Sequence, residues 1–376
     1  MVRVAYFAPW LFTGGTQRHL QQVIQQLDRS RFEPTVFTLR PGGDVEDELR
    51  AAGVPVTSLG IGANAFGPRA LRGMLRAARQ LRRDGVSVVH GYQWRPALIG
   101  ALAARLAGVP LVVAGKRSLT GRTVSERLAW RAIARLSDTV VVNAEALRVQ
   151  GEQLGMHARW AVLRNGVDVA RFAVVETREA ARLRLGLEPS RSVVGTIGRL
   201  EPRKGYEVLL AAMQLVAART NGTCPQVLLV GDGPLRDALE RRTDEIGLGH
   251  VVRFTGNLSD VRPALAAMDV FVLPSHEEGM SNALLEAMAA ERAVVATAVG
   301  GTGEIVAHER TGLLVPPADP AMLAAAVQRL LEDRATAARL AEAGREFVCR
   351  EYGARQRTAE LEQLYLDGLA RRRGGR

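Results

Sequence analysis

The stretch Val270-Phe271-Val272-Leu273-Pro274-Ser275-His276-Glu277-Glu278-Gly279-Met280-Ser281-Asn282-Ala283-Leu284-Leu285-Glu286-Ala287-Met288-Ala289 reads as an apolar strand closed by proline, a loop broken by glycine, and a helix. The loop therefore sits at the carboxyl end of a buried strand. Backbone N–H groups in the first helical turn have no intrahelical partner and carry the positive end of the dipole, so the amides of 279–282 suit a phosphate. Glu286 lies about one turn further in, where a carboxylate can accept hydrogen bonds from two neighbouring hydroxyls, as in a ribose diol. Glu278, at the loop rim, could take the hydroxyls of a sugar. Acids near a helix start also complement the dipole with no ligand at all, and at this point both readings stand.

Outward from this stretch the same unit repeats. In the second half, strands are expected at 192–197, 226–230, 251–254, 270–273, 293–297 and 313–315, with helices at 206–220, 235–246 and 281–290 between them. The first half alternates likewise, with strands at 3–7, 35–39, 86–90, 111–114 and 139–143 and helices at 16–28, 44–52, 69–83, 97–107 and 125–136. Such βα alternation implies parallel sheets covered on both faces. A chain of 376 residues also exceeds what one core usually supports. The expected architecture is α/β: two doubly wound, Rossmann-like domains facing a cleft, over 1–168 and 169–350, followed by a helix over 351–376. The stretch after Asn165-Gly166-Val167-Asp168, to about 190, is helical and sheet-poor and reads as their connection.

Charge is unevenly spread. Residues 1–168 hold 23 Lys and Arg against 12 Asp and Glu, and residues 169–376 hold 27 against 27, so the whole surplus lies in the first half. Only Lys116 and Lys204 are lysines. A basic surface suits nucleic acid, an anionic membrane or acidic substrates. Nucleic acid is the least supported, because no zinc-ligand spacing, basic-aromatic RNA motif or helix-turn-helix signature occurs. The segment 69–83 places Leu71, Met74, Leu75, Ala78 and Leu81 at helical spacing with Arg72, Arg76, Arg79, Arg82 and Arg83 largely opposite, which suits either packing on a sheet or contact with acidic headgroups. Cys224 and Cys349 form no CxxC pair, which fits a reducing compartment. The N-terminus runs straight into a strand with no long apolar core. The expected location is the cytoplasm, with the basic half suited to the inner face of the plasma membrane.

Val193-Val194-Gly195-Thr196-Ile197-Gly198-Arg199-Leu200-Glu201-Pro202-Arg203-Lys204-Gly205 is a strand ending in glycine, a loop with three cations, then a helix. Arg199 can form paired hydrogen bonds to phosphate oxygens and Lys204 can act as a mobile point charge. Val230-Gly231-Asp232-Gly233-Pro234 is a tight turn after a strand and lacks the GxGxxG dinucleotide fingerprint. Gly14 and Gly15 follow the first strand and open a helix, where a backbone can approach a diphosphate or simply turn. His90 closes another strand and is expected at the cleft. Trp10 and Trp94 project from equivalent loops, with Tyr92 beside the latter, and could stack on a sugar or serve packing. No D-x-D, G-x-S-x-G, Walker or HExxH pattern occurs, so no catalytic metal is indicated.

Taken in order and spacing, Asn165-Gly166-Val167-Asp168, Gly198-Arg199-Leu200 with Arg203-Lys204-Gly205, Val230-Gly231-Asp232-Gly233-Pro234 and the 278–286 block resemble the retaining GT-B glycosyltransferases of family 4; Thr311-Gly312-Leu313-Leu314-Val315 and Gly14-Gly15 extend the likeness. The resemblance implies that the second domain holds a nucleotide sugar and that the C-terminal helix crosses back to the first, acceptor-binding domain. It further implies that Arg199 and Lys204 neutralise the diphosphate and that Glu286 holds the ribose. Glu278 would meet the donor sugar, and amides of Gly279, Met280, Ser281 and Asn282 would cap a phosphate. His90 resembles the family's first-domain histidine. The chain departs from the family where Tyr92 stands for a second histidine and Met280-Ser281 for Phe-Gly.

The expected reaction is metal-independent, cofactor-free transfer with retention, from a nucleotide sugar to a glycan, lipid-linked or small-molecule acceptor. A GT-B epimerase and a non-catalytic membrane- or partner-binding module are the alternatives.

Overall fold

In the computed structural model, which describes residues 1–62, 67–119, 123–173, 176–219 and 224–374, the chain divides into two compact units. The first comprises 1–166 and 354–376, the second 167–353.

In the first unit, strands β1 (Val2–Ala8), β2 (Phe32–Thr38), β3 (Val56–Ser58), β4 (Val88–Tyr92), β5 (Leu111–Lys116), β6 (Thr139–Val142) and β7 (Trp160–Val162) alternate with helices α1 (Gly15–Gln26), α2 (Asp44–Ala51), α3 (Pro68–Arg83), α4 (Trp94–Ala107), α5 (Val124–Leu136) and α6 (Glu145–Gln153). The sheet order is β3-β2-β1-β4-β5-β6-β7, all parallel. Strand periodicity splits its core. Val4, Tyr6, Val88 and Val113 pack on one face and Ala5, Phe7, Val89 and Val112 on the other, because successive residues point to opposite faces. Both edge strands, three residues each, escape the sequence reading because so short a run shows no period.

The second unit opens with the short helix α7 (Arg178–Arg184). Strands β8 (Val193–Ile197), β9 (Gln226–Val230), β10 (Val252–Gly256), β11 (Val270–Leu273), β12 (Ala293–Thr297) and β13 (Leu313–Val315) then alternate with α8 (Tyr206–Arg219), α9 (Arg236–Glu245), α10 (Arg262–Ala267), α11 (Asn282–Ala289), α12 (Thr302–Ile305), α13 (Pro320–Glu332) and α14 (Arg334–Glu351). Residue 220, the expected end of α8, lies outside the described residues. The order β10-β9-β8-β11-β12-β13 repeats the pattern of the first sheet. Buried Asp269 pins the amino ends of the central strands, accepting from Val193 N at 2.8 Å and from Arg182 at 2.6 Å.

Tyr352 and Gly353 break the helical tail that the sequence suggests from 351. The last helix, α15 (Ala354–Gly374), belongs to the first unit, where Leu361, Tyr365 and Leu369 join the core formed by Tyr6, Leu20 and Val88. In each sheet the order reverses once, between β1 and β4 and between β8 and β11. Loops leaving strands on either side of such a point diverge and leave a crevice at the carboxyl ends.

Candidate active site

In the second unit the crevice is built by four loops laced together through their backbones. After β8, residues 202–204 form one 3-10 turn, and its Arg203 carbonyl accepts from His276 N at 2.9 Å in the loop after β11. Gly205 ends that turn at φ 64°, and an added Cβ would lie 2.1 Å from the Pro274 carbonyl, so only glycine permits the approach. Leu200 N donates to Asp232 O at 3.0 Å, tying in the loop after β9. Gly301 N donates to Gly279 O at 2.8 Å from the loop after β12. Beside it Gly300, at φ 51°, would place a Cβ 1.8 Å from the Glu278 carbonyl.

These crossings bring Lys204 and Glu278 together. Glu278 is buried, and its Oε1 accepts from Lys204 Nζ at 2.6 Å and from Ser275 Oγ at 2.7 Å. Arg203 lies 3.9 Å from Oε2 and pairs with Glu201 at 2.5 Å. Ser275 is itself held, its carbonyl accepting from Thr297 Oγ1 at 2.5 Å. A buried carboxylate demands such partners. Arg199 stands apart, its side chain 62% exposed and its Nε 4.0 Å from Glu201. Tyr206 Oη donates to the Gly198 carbonyl at 2.7 Å, fixing the backbone from which Arg199 extends.

On α11, Ser281 is the N-cap, its hydroxyl accepting from Leu284 N at 3.3 Å. The Met280 side chain is buried in the core, so only its backbone can serve a ligand. Asn282 and Glu286 are half-buried along the same helix. Sequence reasoning left out Ser275 and gave Arg203 no role of its own. The basic pair Arg203-Lys204 was the available signal for the arginine, whereas Ser275 carries none.

The first unit places the remaining candidates in two groups. Trp10, in the loop after β1, and Trp94, at the start of α4, share a hollow of about 400 Å³, open to solvent, with Arg40, Gln93 and Arg95. The Arg95 guanidinium lies over the Trp94 ring, 4.5 Å from its centroid. Gln93 adopts φ 65°, a conformation a side chain occupies only when its surroundings hold it there. Gly14, by contrast, is extended, and an added Cβ would meet only the flexible Gln17 side chain; Gly15 begins α1 and is exposed.

His90 and Tyr92 do not join the tryptophans or stand at a loop rim. Two residues apart on β4, they share its other face and are fully buried, stacked at 4.6 Å. His90 Nδ1 lies 2.7 Å from Tyr365 Oη on α15. Burial, reinforced by Arg117, holds the His90 imidazole down at about 3, and burial pushes the Tyr92 phenol up to about 12. His90 is therefore neutral near pH 7 and is not placed as a proton donor.

Two doubly wound sheets, with a cation-carboxylate cluster at the switch point of the second, define a glycosyltransferase of the GT-B architecture. The family model described as glycosyl transferases group 1 matches residues 191–333 and that described as glycosyltransferase family 4 matches 13–171. The GDP-mannose-dependent alpha-(1-6)-phosphatidylinositol monomannoside mannosyltransferase of Mycobacterium tuberculosis is 32% identical over 90% of this chain and 91% of its own length. The glycogen synthase of the same organism is 31% identical over 81% and 75%. Anabaena HepE bound to UDP-glucose superposes with a TM-score of 0.86 at 21% identity, covering 98% of this chain and all of that one. The chain belongs to glycosyltransferase family 4.

The buried histidines make stability fall in acid. His90 titrates near 3 when folded and near its ordinary 6.5 when unfolded, and His19 is also held well below 6.5. The unfolded state therefore binds more protons between those values, and stability is lost as pH falls through the window. Urea midpoints measured from pH 7 to 4 should show a shallower decline for His90→Gln than for the parent chain.

Proposed function

We propose that the protein transfers a hexosyl unit from a nucleotide-diphosphate sugar to a glycan, lipid-linked or small-molecule acceptor, with retention of configuration and without a metal. The observation that carries this reading is the Lys204–Glu278–Ser275 cluster at the switch point of the second unit. An ammonium has three N–H donors and Glu278 takes one, so Lys204 can stay anchored while donating to a diphosphate. Arg199, exposed on the same loop, supplies a guanidinium able to swing onto phosphate oxygens. Amides near Gly279, Met280, Ser281 and Asn282 complete the cradle beside Gly198, and Glu286 takes the ribose hydroxyls. Glu278 meets the donor sugar and also fixes Lys204.

In front-face transfer the bond to the leaving phosphate breaks ahead of acceptor attack, so negative charge grows on the diphosphate. Cations already in place stabilise that charge with little rearrangement. Neither glutamate is assigned as a nucleophile. The acceptor belongs to the first unit, where the Trp10 and Trp94 hollow presents ring faces for a sugar; Gly14 and Gly15 leave the neighbouring backbone open. The transferase and synthase relatives weigh against an epimerase.

Lys204→Ala should lower kcat by about a hundredfold to a thousandfold, with far-UV circular dichroism still that of a folded chain and a lower melting temperature because buried Glu278 loses its partner. Near-normal turnover would remove the assignment. The product, followed by proton NMR, should keep the anomeric configuration of the donor; an inverted centre would exclude front-face transfer.

The first unit's charge supports a membrane-surface location as part of this proposal. It carries 29 Lys and Arg against 14 Asp and Glu, whereas the second carries 21 against 25. On α3, Leu71 and Leu75 are exposed beside Arg69, Arg72, Arg76 and Arg79. Among the described residues no helix is long and apolar enough to cross a membrane. Basic residues near an anionic surface contribute about 1 kcal/mol each. Cosedimentation should therefore show binding to vesicles rich in phosphatidylglycerol, weakened by salt and absent with phosphatidylcholine; equal binding to both would count against it.

A further inference from the structure

Beneath α1 and α15 the first unit has a second hollow, open to solvent and distinct from the one at the tryptophans. Three arginines line it, Arg117, Arg164 and Arg357, and none of its lining residues is acidic. Arg357 is paired with Glu360 at 2.8 Å. Arg117 is different: among the described residues its partners are the neutral Asn165 side chain and the face of Tyr92, whose centroid lies 5.6 Å from its Cζ. Arg117 is half-buried, and a guanidinium facing a hollow without a carboxylate among the described residues favours an anion there.

The neighbouring polar atoms share that condition. His90, Tyr92 and His19 line the same hollow at 2%, 1% and 8% exposure. His90 Nε2, the Tyr92 hydroxyl and His19 Nδ1 are buried with no hydrogen-bond partner among the described residues. When Tyr365 donates to His90 Nδ1, the proton of the neutral ring sits on Nε2, which becomes a second donor beside Arg117. Gly115 lets the imidazole lie close over β5: an added Cβ there would come within 3.1 Å of Nε2. The Tyr92 ring sits among them, 4.6 Å from His90 and 6.1 Å from His19.

We infer that this hollow is an oxyanion site that takes a phosphate group, with Arg117 as its counter-charge and Tyr92 and His90 as donors. A neutral sugar would leave the guanidinium uncompensated. A tetrahedral phosphate offers oxygens in several directions and can accept from groups converging on it from different sides. The group comes either from a phosphate ester, which would make the acceptor anionic and would then rest on the transferase reading, or from free phosphate.

The test is calorimetric titration of the full chain with inorganic phosphate, glycerol 3-phosphate and, as a neutral control, glycerol. Phosphate or its ester should bind and glycerol should not. Arg117→Gln should weaken binding by about tenfold to a hundredfold, Arg117→Lys should recover part of it, and Tyr92→Phe should cost several-fold. Tighter binding of the ester identifies an ester-bearing ligand, and binding of inorganic phosphate alone identifies a free anion. Absence of binding by either anion, or equal affinity in Arg117→Gln, overturns the site. Thermal shifts with UDP-glucose and GDP-mannose on the same proteins keep the two readings apart. A donor shift retained in Arg117→Gln shows a folded variant, and no donor shift in the parent chain bears on the transferase reading alone.

Discussion

The burial of one carboxylate, Glu278, governs the second unit. A charge away from water must be paired, and the partner, Lys204, lies 74 residues earlier in the chain. They can meet because β8 and β11 are neighbours at the reversal of strand order. The pairing holds the loop after β8 against the loop after β11, and Ser275 and Thr297 carry the network on to β12. Gly205 and Gly300 are the permissive half of the same constraint. Any side chain at either would collide with a carbonyl and force the loops apart. Charge and backbone geometry thus fix one arrangement together, and a ligand that enters finds its cation already placed.

The first unit uses the same topology with a different balance. Its switch point carries aromatic rings, Trp10 and Trp94, together with the left-handed Gln93. On the opposite side of β4 lie buried histidine and tyrosine side chains beside the half-buried Arg117, with no carboxylate lining the hollow among the described residues. The second unit buries an acid and brings a cation to it, whereas in the first the half-buried Arg117 has no acid beside it among the described residues. This difference in counter-charge separates the two sites more sharply than any difference in fold.

Much of this was legible from residues alone. The strands of the second sheet could be read because most are apolar runs bounded by turns, and even the three-residue Leu313–Val315 is set off by Gly312 and Pro316. The edge strands Val56–Ser58 and Trp160–Val162 could not, since their pairing depends on neighbours and not on any pattern of their own. Lys204 and Glu278 were legible as chemical types in loops at strand ends, but their contact was not, because nothing local links the two loops. His90 is the instructive case. Placed at a strand's carboxyl end, it reads as a cleft residue, yet period two turns it toward α15, whose Tyr365 lies 275 residues away. Arg117 had no signal whatever in a chain so rich in arginine.

The distribution of charge follows the units and not the halves of the sequence. Assigning 354–376 to the first unit gives it 29 basic against 14 acidic residues and leaves the second with a small acidic excess, 21 against 25. A diphosphate bound in the second unit would therefore be held against its domain's net charge. Its affinity would have to come from contacts at short range, through Lys204, Arg199 and helix-end amides, where the surrounding field counts for little. The first unit's surplus is too widely spread to serve that purpose. Exposed arginines on α3 address whatever lies outside the protein, and Arg117 addresses whatever enters beneath α1 and α15. On the proposed reading both positions favour negative charge, so an anionic partner would be common to the two, while the donor chemistry would depend on a few cations set at one strand reversal of the second unit.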